Sequence, residues 1–288
     1  MTAAATDRYF LTDDEVRLHY RDFAGGGDGR PAAVCLPGLT RNVRDFESLA
    51  LRLAPRFRVL TVSFRGRGES GHAADPQSYV PAIYAEDLKR LLADAGCARS
   101  IVIGTSLGGL VGLMLGAAGG AEVAGIVLND VGPVLEQSGL GRIRAALGRG
   151  DNWPSFLAAA RDIARLQRDI YPDWTLESWL AHAKRLCRIA ADGRIVWDYD
   201  PEIAAPLHLA ADDETPDLWP LFEAWRGRPM LSIRGELSDI LSAATQAEMK
   251  RRHPGLETAT VPRVGHAPTL DEAESRAAID GFLQPFAG

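Results

Sequence analysis

Six short apolar runs, separated by segments with helical periodicity, constrain the fold of this chain more than any other feature of the sequence. Most of the runs are nearly continuous rather than alternating, which is typical of strands covered on both faces of a sheet. They are AAVCLPG (32–38), RVLTVSF (58–64), SIVIGTS (100–106), GIVLNDVG (125–132), PMLSIRG (229–235) and ETATVPRVG (257–265). Such alternation predicts a parallel sheet with right-handed crossovers and helices on both faces.

The N-terminal residues predict two further strands. The segments RYFL and VRLHYRDF are rich in β-forming residues and are separated by the turn-prone TDD. Helix candidates with one apolar face lie at 79–95 and 272–284. Together with the six runs, the two N-terminal strands predict an α/β fold with a mostly parallel eight-stranded sheet and an antiparallel hairpin at one edge.

Residues 134–206 interrupt the alternation of strands and helices. This segment, called the insertion below, contains four of the six tryptophans and has helical spacing without a strand-like run over most of its length. An inserted lid rich in aromatic side chains often lines an apolar pocket. We therefore expect residues 1–133 and 207–288 to form the core and the insertion to form a helical lid after the sixth strand, with Trp153 and Trp179 at the substrate pocket.

Composition excludes several classes of function. The formal net charge is −6 and the pI is about 5.6, with no basic stripe for nucleic acid. Cys35, Cys97 and Cys187 do not suggest a disulfide framework or a zinc site, and the histidines form no metal-binding motif. The segment MTAAATDRYF does not have the pattern of a signal peptide, so we expect a cytoplasmic protein. No pattern indicates an oligomeric state.

Two segments carry patterns that suggest other functions. Ile101 to Ala121 is uncharged over 21 residues, long enough to cross a bilayer, but a buried strand followed by a buried helix has the same composition. We therefore expect no membrane span. GRGESG (66–71) matches a dinucleotide-binding pattern, yet no helical periodicity begins at its glycines, where a pyrophosphate would need a helix N-terminus. We expect no cofactor.

A candidate nucleophile lies in the sequence IVIGTSLGGL, which contains G-x-S-x-G at Gly104, Ser106 and Gly108. A predicted strand precedes the serine and a predicted helix follows it. That context makes the motif informative, because a sharp strand-to-helix turn exposes the hydroxyl at the edge of the sheet. The helix N-terminus would also face negative charge that develops in a reaction.

A serine nucleophile needs a base, and the base needs an acid that orients it. His266 is the best candidate base, because it begins a loop after the last predicted strand. Asp239 lies four residues after Gly235, beyond the strand PMLSI, and is our preferred acid. Asp130, at the end of the strand GIVLND, is the alternative acid.

An oxyanion site requires two backbone N–H groups near the serine. We expect one from Leu107, directly after the nucleophile, and one from Leu39 in the loop LPGLTRN. Arg41 and Asn42 follow Leu39 closely and are candidates for the mouth of the pocket.

The chain resembles the α/β-hydrolase superfamily, in its serine-nucleophile branch of esterases and lactonases, over nearly its whole length. The resemblance rests on LPGLTRN, SFRGRGES, GTSLGG, VLNDVGP, RGELSDIL and VGHAPTLDE, which occur in the order typical of the family. Members often have His-Gly in the first loop, where this chain has Pro37–Gly38. Epoxide hydrolases and dehalogenases of the superfamily use an aspartate nucleophile, so a serine at position 106 implies acyl chemistry.

These observations predict a serine hydrolase that cleaves a carboxylic ester or lactone with apolar character through an acyl-enzyme. The expected partner is therefore a small molecule. The same residues would serve a C–C bond hydrolase of ring-fission diketones or a cofactor-free perhydrolase. A small-molecule receptor with slow turnover is an alternative from another class.

Overall fold

The computed structural model describes residues 5–27, 29–118, 122–206 and 217–287. Eight strands form its main sheet. They are β1 (Ala5–Leu11), β2 (Arg17–Phe23), β3 (Ala32–Leu36), β4 (Val59–Val62), β5 (Arg99–Thr105), β6 (Glu122–Asn129), β10 (Met230–Gly235) and β11 (Glu257–Val261). Their order across the sheet is β1-β2-β4-β3-β5-β6-β10-β11.

The predicted fold class is confirmed. β1 pairs with β2, and β2 with β4, in antiparallel orientation, whereas all the other neighbours in the sheet are parallel. The register aligns Thr105 of β5 with Asn129 of β6, and Asn129 with Ile233 of β10. The carboxyl ends of these neighbouring strands therefore meet at one edge of the sheet.

Helices cover both faces of the sheet. The α-helices are α1 (Glu47–Leu53), α2 (Pro81–Asp94), α3 (Leu107–Ala118), α4 (Gln137–Ala146), α5 (Phe156–Gln167), α6 (Leu176–Leu186), α7 (Trp219–Glu223), α8 (Ala243–Arg252) and α9 (Ala273–Leu283). Short 3-10 helices lie at Val43–Phe46, Pro76–Ser78, Pro201–Ala204 and Gln284–Phe286. The helices expected at 79–95 and 272–284 correspond to α2 and α9.

Apart from β11, which lies at the edge of the sheet and is largely exposed, the apolar runs are strands that are buried on both sides. Val34, Val102 and Leu128 face one core cluster. Their chain neighbours Ala33 and Val127 face the other cluster. Successive side chains of a strand point to opposite faces, so a strand covered by two helical layers needs apolar residues at consecutive positions.

The insertion is not purely helical, contrary to the prediction. Beside α4, α5 and α6 it contains a small antiparallel sheet in the order β7-β9-β8, formed by β7 (Asn152–Trp153), β8 (Cys187–Ile189) and β9 (Ile195–Trp197). Strands of two or three residues are too short to leave a periodic signal in a sequence. The division into a core and a lid stays a prediction, and residues 207–216 lie outside the described part of the chain.

The uncharged stretch from Ile101 to Ala121 divides into β5, a turn and α3, while residues 119–121 lie outside the described part. Within residues 5–27, 29–118, 122–206 and 217–287, none of the helices combines the length and the hydropathy that crossing a bilayer requires. The GRGESG segment forms a turn with Gly66 and Gly68 at positive φ, and no helix begins at its glycines.

Candidate active site

Ser106 lies in the sharp turn between β5 and α3. Its φ is +52°, a conformation that L-residues adopt rarely. A Cβ on Gly108 would lie 2.2 Å from the carbonyl oxygen of Leu36, and one on Gly104 would lie 2.5 Å from the backbone of Gly108. Glycine is required at both positions because α3 packs directly against the sheet. The motif is therefore the turn that the sequence predicts.

His266 is within hydrogen-bonding distance of this serine. Its Nε2 atom is 2.9 Å from Ser106 Oγ, and its side chain is only 8% exposed. The residue lies in the loop between β11 and α9, at the same edge of the sheet as the turn after β5. The structure thus brings together the predicted nucleophile and the predicted base, which are 160 positions apart.

The carboxylate beside His266 belongs to Asp130, so our preference for Asp239 is corrected. His266 Nδ1 and Asp130 Oδ2 are 2.7 Å apart, and the Asp130 side chain has no exposed surface. Asp130 directly follows β6, which is the neighbour of β5 in the sheet, and its φ is +56°. Its place at the end of a central strand was the sequence signal in its favour.

The loop after β10 supplies donors to this carboxylate rather than the carboxylate itself. The N–H of Gly235 donates to Asp130 Oδ1 at 2.7 Å, and the hydroxyl of Ser238 donates to Oδ2 at 2.6 Å. The backbone N–H groups of Ile240 and Leu241 in turn donate to the Ser238 hydroxyl. A buried carboxylate requires such partners to offset its lost hydration.

Asp239 instead connects this loop to α4 of the insertion. Its two carboxylate oxygens accept from Nε and one Nη of Arg142 at 2.6 and 2.7 Å, and its backbone oxygen accepts from the N–H of Gly139 at 3.0 Å. Partial burial acts to raise the pKa of Asp239, but the Arg142 guanidinium outweighs it and the pKa is lowered. The bidentate pairing directs the carboxylate toward Arg142 and leaves Asp130 to contact His266.

Leu39 and Leu107, the predicted oxyanion donors, lie in the two turns next to Ser106. Leu107 is the first residue of α3, so its N–H has no partner within the helix. Within the described part of the chain, neither N–H donates to a protein acceptor. The turn that holds Leu39 is close to the serine, because a Cβ on Gly38 would lie 3.9 Å from Ser106 Cβ.

Arg67, a buried arginine that no sequence pattern indicated, holds the Leu39 peptide. Nε of Arg67 donates to the Leu39 carbonyl at 2.8 Å, and one Nη donates to the Arg65 carbonyl and the Tyr84 hydroxyl. Burial lowers the pKa of Arg67, which is fully enclosed. The GRGESG turn therefore positions an arginine behind the candidate oxyanion loop.

A cavity of about 370 Å³ opens beside Ser106 and His266. Apolar side chains from the loop after β3, from the insertion and from the loop that carries His266 form much of its wall: Leu39, Phe46, Ile143, Leu147, Leu166, Ile170, Leu186, Trp197 and Pro268. Arg41 also lines it, as predicted, and is paired with Asp45 through two hydrogen bonds of 2.5 and 2.8 Å.

The two tryptophans expected at the pocket lie behind its wall. Neither Trp153 nor Trp179 is among the lining residues that the structure describes, and both belong to a buried core cluster. Trp153 packs edge-on against Trp197, which does line the cavity. Trp179 packs against Tyr171, another lining residue. The concentration of aromatic residues identified the correct segment, but not which members face the cavity.

The insertion also contacts the loop that carries His266. The N–H of Gly265 donates to the carbonyl of Ile170 at 2.7 Å, and the Tyr171 hydroxyl donates to the carbonyl of Ala267 at 2.6 Å. Burial raises the pKa of Tyr171, so this hydroxyl remains a donor. The residues on either side of His266 are thus held by one short segment between α5 and α6.

The arrangement is suited to nucleophilic catalysis. A serine hydroxyl becomes an effective nucleophile when a histidine at hydrogen-bonding distance accepts its proton. A buried carboxylate at the other ring nitrogen selects the tautomer with a proton on Nδ1 and stabilises the imidazolium. Two backbone N–H groups near the serine can stabilise the negative charge of a tetrahedral intermediate.

The chain is similar to known proteins over most of its length. The profile of the family described as "Alpha/beta hydrolase family" matches residues 33–279. A 3-hydroxybutyrate-oligomer hydrolase of Cupriavidus necator is 34% identical over 276 residues, which cover 93% of this chain and 92% of that protein. A 2-(acetamidomethylene)succinate hydrolase of Mesorhizobium japonicum is 27% identical over 267 residues, which cover 87% of this chain and 85% of that one.

A solved structure has nearly the same backbone. The crystal structure of an alpha/beta hydrolase from Novosphingobium aromaticivorans matches with a TM-score of 0.93 at 50% sequence identity, and the match covers 99% of both chains. Residues 33–279, which the family profile matches, include Ser106, Asp130 and His266.

Proposed function

This chain belongs to the alpha/beta hydrolase family, and from its site geometry we propose that it is a serine hydrolase that cleaves a carboxylic ester or lactone. The proposal rests on two hydrogen-bonding contacts that link three side chains. Ser106 Oγ is 2.9 Å from His266 Nε2, and His266 Nδ1 is 2.7 Å from Asp130.

In the proposed mechanism, Ser106 Oγ attacks the carbonyl carbon of the substrate while its proton passes to His266 Nε2. Asp130 stabilises the imidazolium that forms, and the N–H groups of Leu39 and Leu107 stabilise the oxyanion. His266 then gives the proton to the leaving alcohol as the acyl-enzyme forms. Water attacks the acyl-enzyme with His266 as base, which releases the acid and restores the serine.

The cavity wall supports a substrate with a substantial apolar part. A volume of about 370 Å³ lined largely by apolar side chains fits a small or medium acyl ester. Esters of short hydroxy acids are good candidates, because the relative from Cupriavidus necator is a 3-hydroxybutyrate-oligomer hydrolase. The insertion would act as the lid, since α4 and the segment between α5 and α6 supply much of the wall.

The test is hydrolysis of 4-nitrophenyl esters of increasing acyl length, of lactones and of linear 3-hydroxybutyrate oligomers. We expect Ser106→Ala to lower kcat by roughly 10⁴-fold or more, because the nucleophile is lost while the cavity remains. Ser138→Ala is the control, since the exposed Ser138 hydroxyl donates, among the residues that the structure describes, only to the backbone oxygen of Asp239.

The proposal fails if the wild type hydrolyses none of these compounds. In that case, cleavage of a ring-fission diketone would favour C–C hydrolysis at the same serine. Binding of a ligand without turnover would instead favour a receptor.

A further inference from the structure

More arginines than carboxylates line the cavity beside Ser106. Asp45 is the only carboxylate among the lining residues that the structure describes, whereas four arginines line the same cavity. They are Arg41, Arg142, Arg149 and Arg185. This excess is local, because the whole chain has a net charge of −6. A concave surface lined by one sign of charge attracts ligands of the opposite sign.

Two of these arginines are neutralised by the protein itself. Arg41 makes two hydrogen bonds to Asp45, and Arg142 makes two to Asp239. Each guanidinium thus already has a carboxylate in the bidentate geometry that this group favours. Neither arginine needs a further anion.

Arg185 has no such partner. Within residues 5–27, 29–118, 122–206 and 217–287 its guanidinium makes no hydrogen bond, and its ion-pair contact, from Nη2 to Asp271 Oδ2, spans 3.7 Å. Asp271 also contacts Arg276 at 3.3 Å. A guanidinium has five N–H donors, so the donors of Arg185 are open to a ligand in the cavity.

The backbone of Arg185 is held in place while its side chain is only 30% exposed. Its carbonyl accepts from Arg44 Nε and Nη2 at 3.1 and 2.8 Å and from the side-chain amide of Asn42 at 3.3 Å. Arg149, in contrast, is 41% exposed in the turn after α4, with its Nε atom 3.5 Å from Asp151. Arg185 is therefore the better anchored of the two arginines that lack a bidentate partner.

We propose that Arg185 binds a free carboxylate of the substrate, so that the enzyme acts on esters that have an apolar body and an acidic end. A linear oligoester that ends in a carboxylic acid has this chemistry. The inference rests on the proposed ester hydrolysis at Ser106 and adds the charge of the substrate to it. The planar guanidinium suits a carboxylate, because two parallel N–H groups can donate to its two oxygens.

The experiment compares substrates that differ only in this carboxylate. One pair is the linear dimer of 3-hydroxybutyrate and the same dimer with a terminal primary amide, which places the charge on the leaving-group side. The other pair is 4-nitrophenyl hemiglutarate and the 4-nitrophenyl ester of glutaric acid monoamide, which places it on the acyl side. For at least one of the two pairs, we expect the wild-type kcat/KM for the acid to exceed that for the amide by about tenfold.

Three variants assign that preference to one side chain. Arg185→Gln should remove it through an increase in KM for the acids that clearly exceeds any increase for the amides. Arg185→Lys should retain part of it, because a point charge replaces a bidentate donor. Arg188→Gln is the matched control, since Arg188 lies three residues away, is 54% exposed and is not among the described residues that line the cavity.

Equal kcat/KM for acid and amide in both pairs would overturn the proposal, and so would an equal loss on both compounds in Arg185→Gln. Calorimetry gives a readout without turnover. Ser106→Ala should bind the 3-hydroxybutyrate dimer more tightly than Ser106→Ala/Arg185→Gln does. This binding difference tests Arg185 even if no ester is cleaved, whereas the proposed function fails only if none of the esters, with an acidic or an amide end, is turned over.

Discussion

The carboxyl edge of the main sheet and the insertion are held in place by different kinds of contact. At the sheet edge, backbone hydrogen bonds fix the chain on either side of the site: the N–H of Ser106 donates to Asn129, and that of Asp130 donates to Ile233. The insertion is joined to the rest of the molecule by scattered backbone hydrogen bonds, such as that from Gly265 to Ile170, together with side-chain contacts, among them the pair Arg142–Asp239 and the Tyr171 hydroxyl.

This difference suggests a division of roles: the sheet edge positions the reacting groups, and the insertion shapes the wall of the cavity. Strand register sets the distances between the reacting groups, and a packed sheet tolerates little change in those distances. Individual side-chain contacts at a partly exposed boundary contribute modestly, so the wall of the cavity can vary while the reacting groups stay in place. Substitutions in each of the two regions test this division.

The largest difference is expected between the Asp130→Asn and Asp239→Asn variants. We expect Asp130→Asn to lower kcat by roughly 10⁴-fold, because an amide cannot stabilise the imidazolium and favours the wrong tautomer. Asp239→Asn should lower kcat less than about tenfold, since it only weakens the contact between α4 and the loop after β10. Steady-state kinetics on one ester measures both. A near-normal Asp130→Asn beside an inactive Asp239→Asn would reverse the assignment.

Replacing one glycine in each region compares how tightly the two regions are packed, through the change in the free energy of unfolding. A Cβ on Gly108 would overlap the Leu36 carbonyl, whereas one on Gly141, in α4, meets no atom within 4 Å. Gly108→Ala should lower the free energy of unfolding by about 3 kcal/mol or more, because backbone atoms must move. Gly141→Ala should raise it by about 0.5–1 kcal/mol through helix propensity. Urea unfolding checks both, and destabilisation by Gly141→Ala would show that α4 is packed more tightly than its surroundings indicate.

The smallest effect concerns His182 in α6, which is 2% exposed and whose Nδ1 atom has no partner among the described residues. Burial, with Arg41 and Arg185 nearby, lowers its pKa well below the usual value. As the pH falls, this imidazole therefore becomes protonated in the unfolded chain before it does in the folded protein. The free energy of unfolding then decreases below about pH 6.5, by up to about 1.4 kcal/mol per pH unit.

Replacement by a neutral ring tests this pH dependence. His182→Phe should lose less stability than wild type between pH 7.5 and 5.5, as measured by urea unfolding at several pH values. His72→Gln is the control, because the His72 side chain is 63% exposed. Parallel curves of unfolding free energy against pH for wild type and His182→Phe would contradict this prediction. They would mean that α6 opens to water before the sheet unfolds.

The fold was largely predictable because its signal is local. Apart from the edge strand β11, each strand of the main sheet is buried on both faces or belongs to a hairpin, so each leaves its own pattern in the sequence. Ser106 and His266 were predictable for a related reason, since Ser106 lies directly after β5 and His266 lies in the loop after β11. The short strands of the insertion left no such pattern, and neither did Arg67, whose role depends on the distant carbonyl of Leu39.

The acid could not be chosen from the sequence alone. Asp130 and Asp239 both follow strands of the same sheet, and both strand ends lie near His266. The choice depends on the backbone conformation after each strand and on competing partners, namely Arg142 for Asp239 and Ser238 with Gly235 for Asp130. Residues far apart in the chain determine both conditions.

The sequence by itself determined the sheet, the serine turn and the histidine loop, because apolar periodicity and glycine spacing express constraints between neighbours in the chain. The tertiary structure decided which carboxylate meets His266, which aromatic side chains face the cavity and which arginine there lacks a partner. Those outcomes depend on which surfaces meet after the insertion packs onto the sheet, and on the competition of charged groups for the same hydrogen bonds.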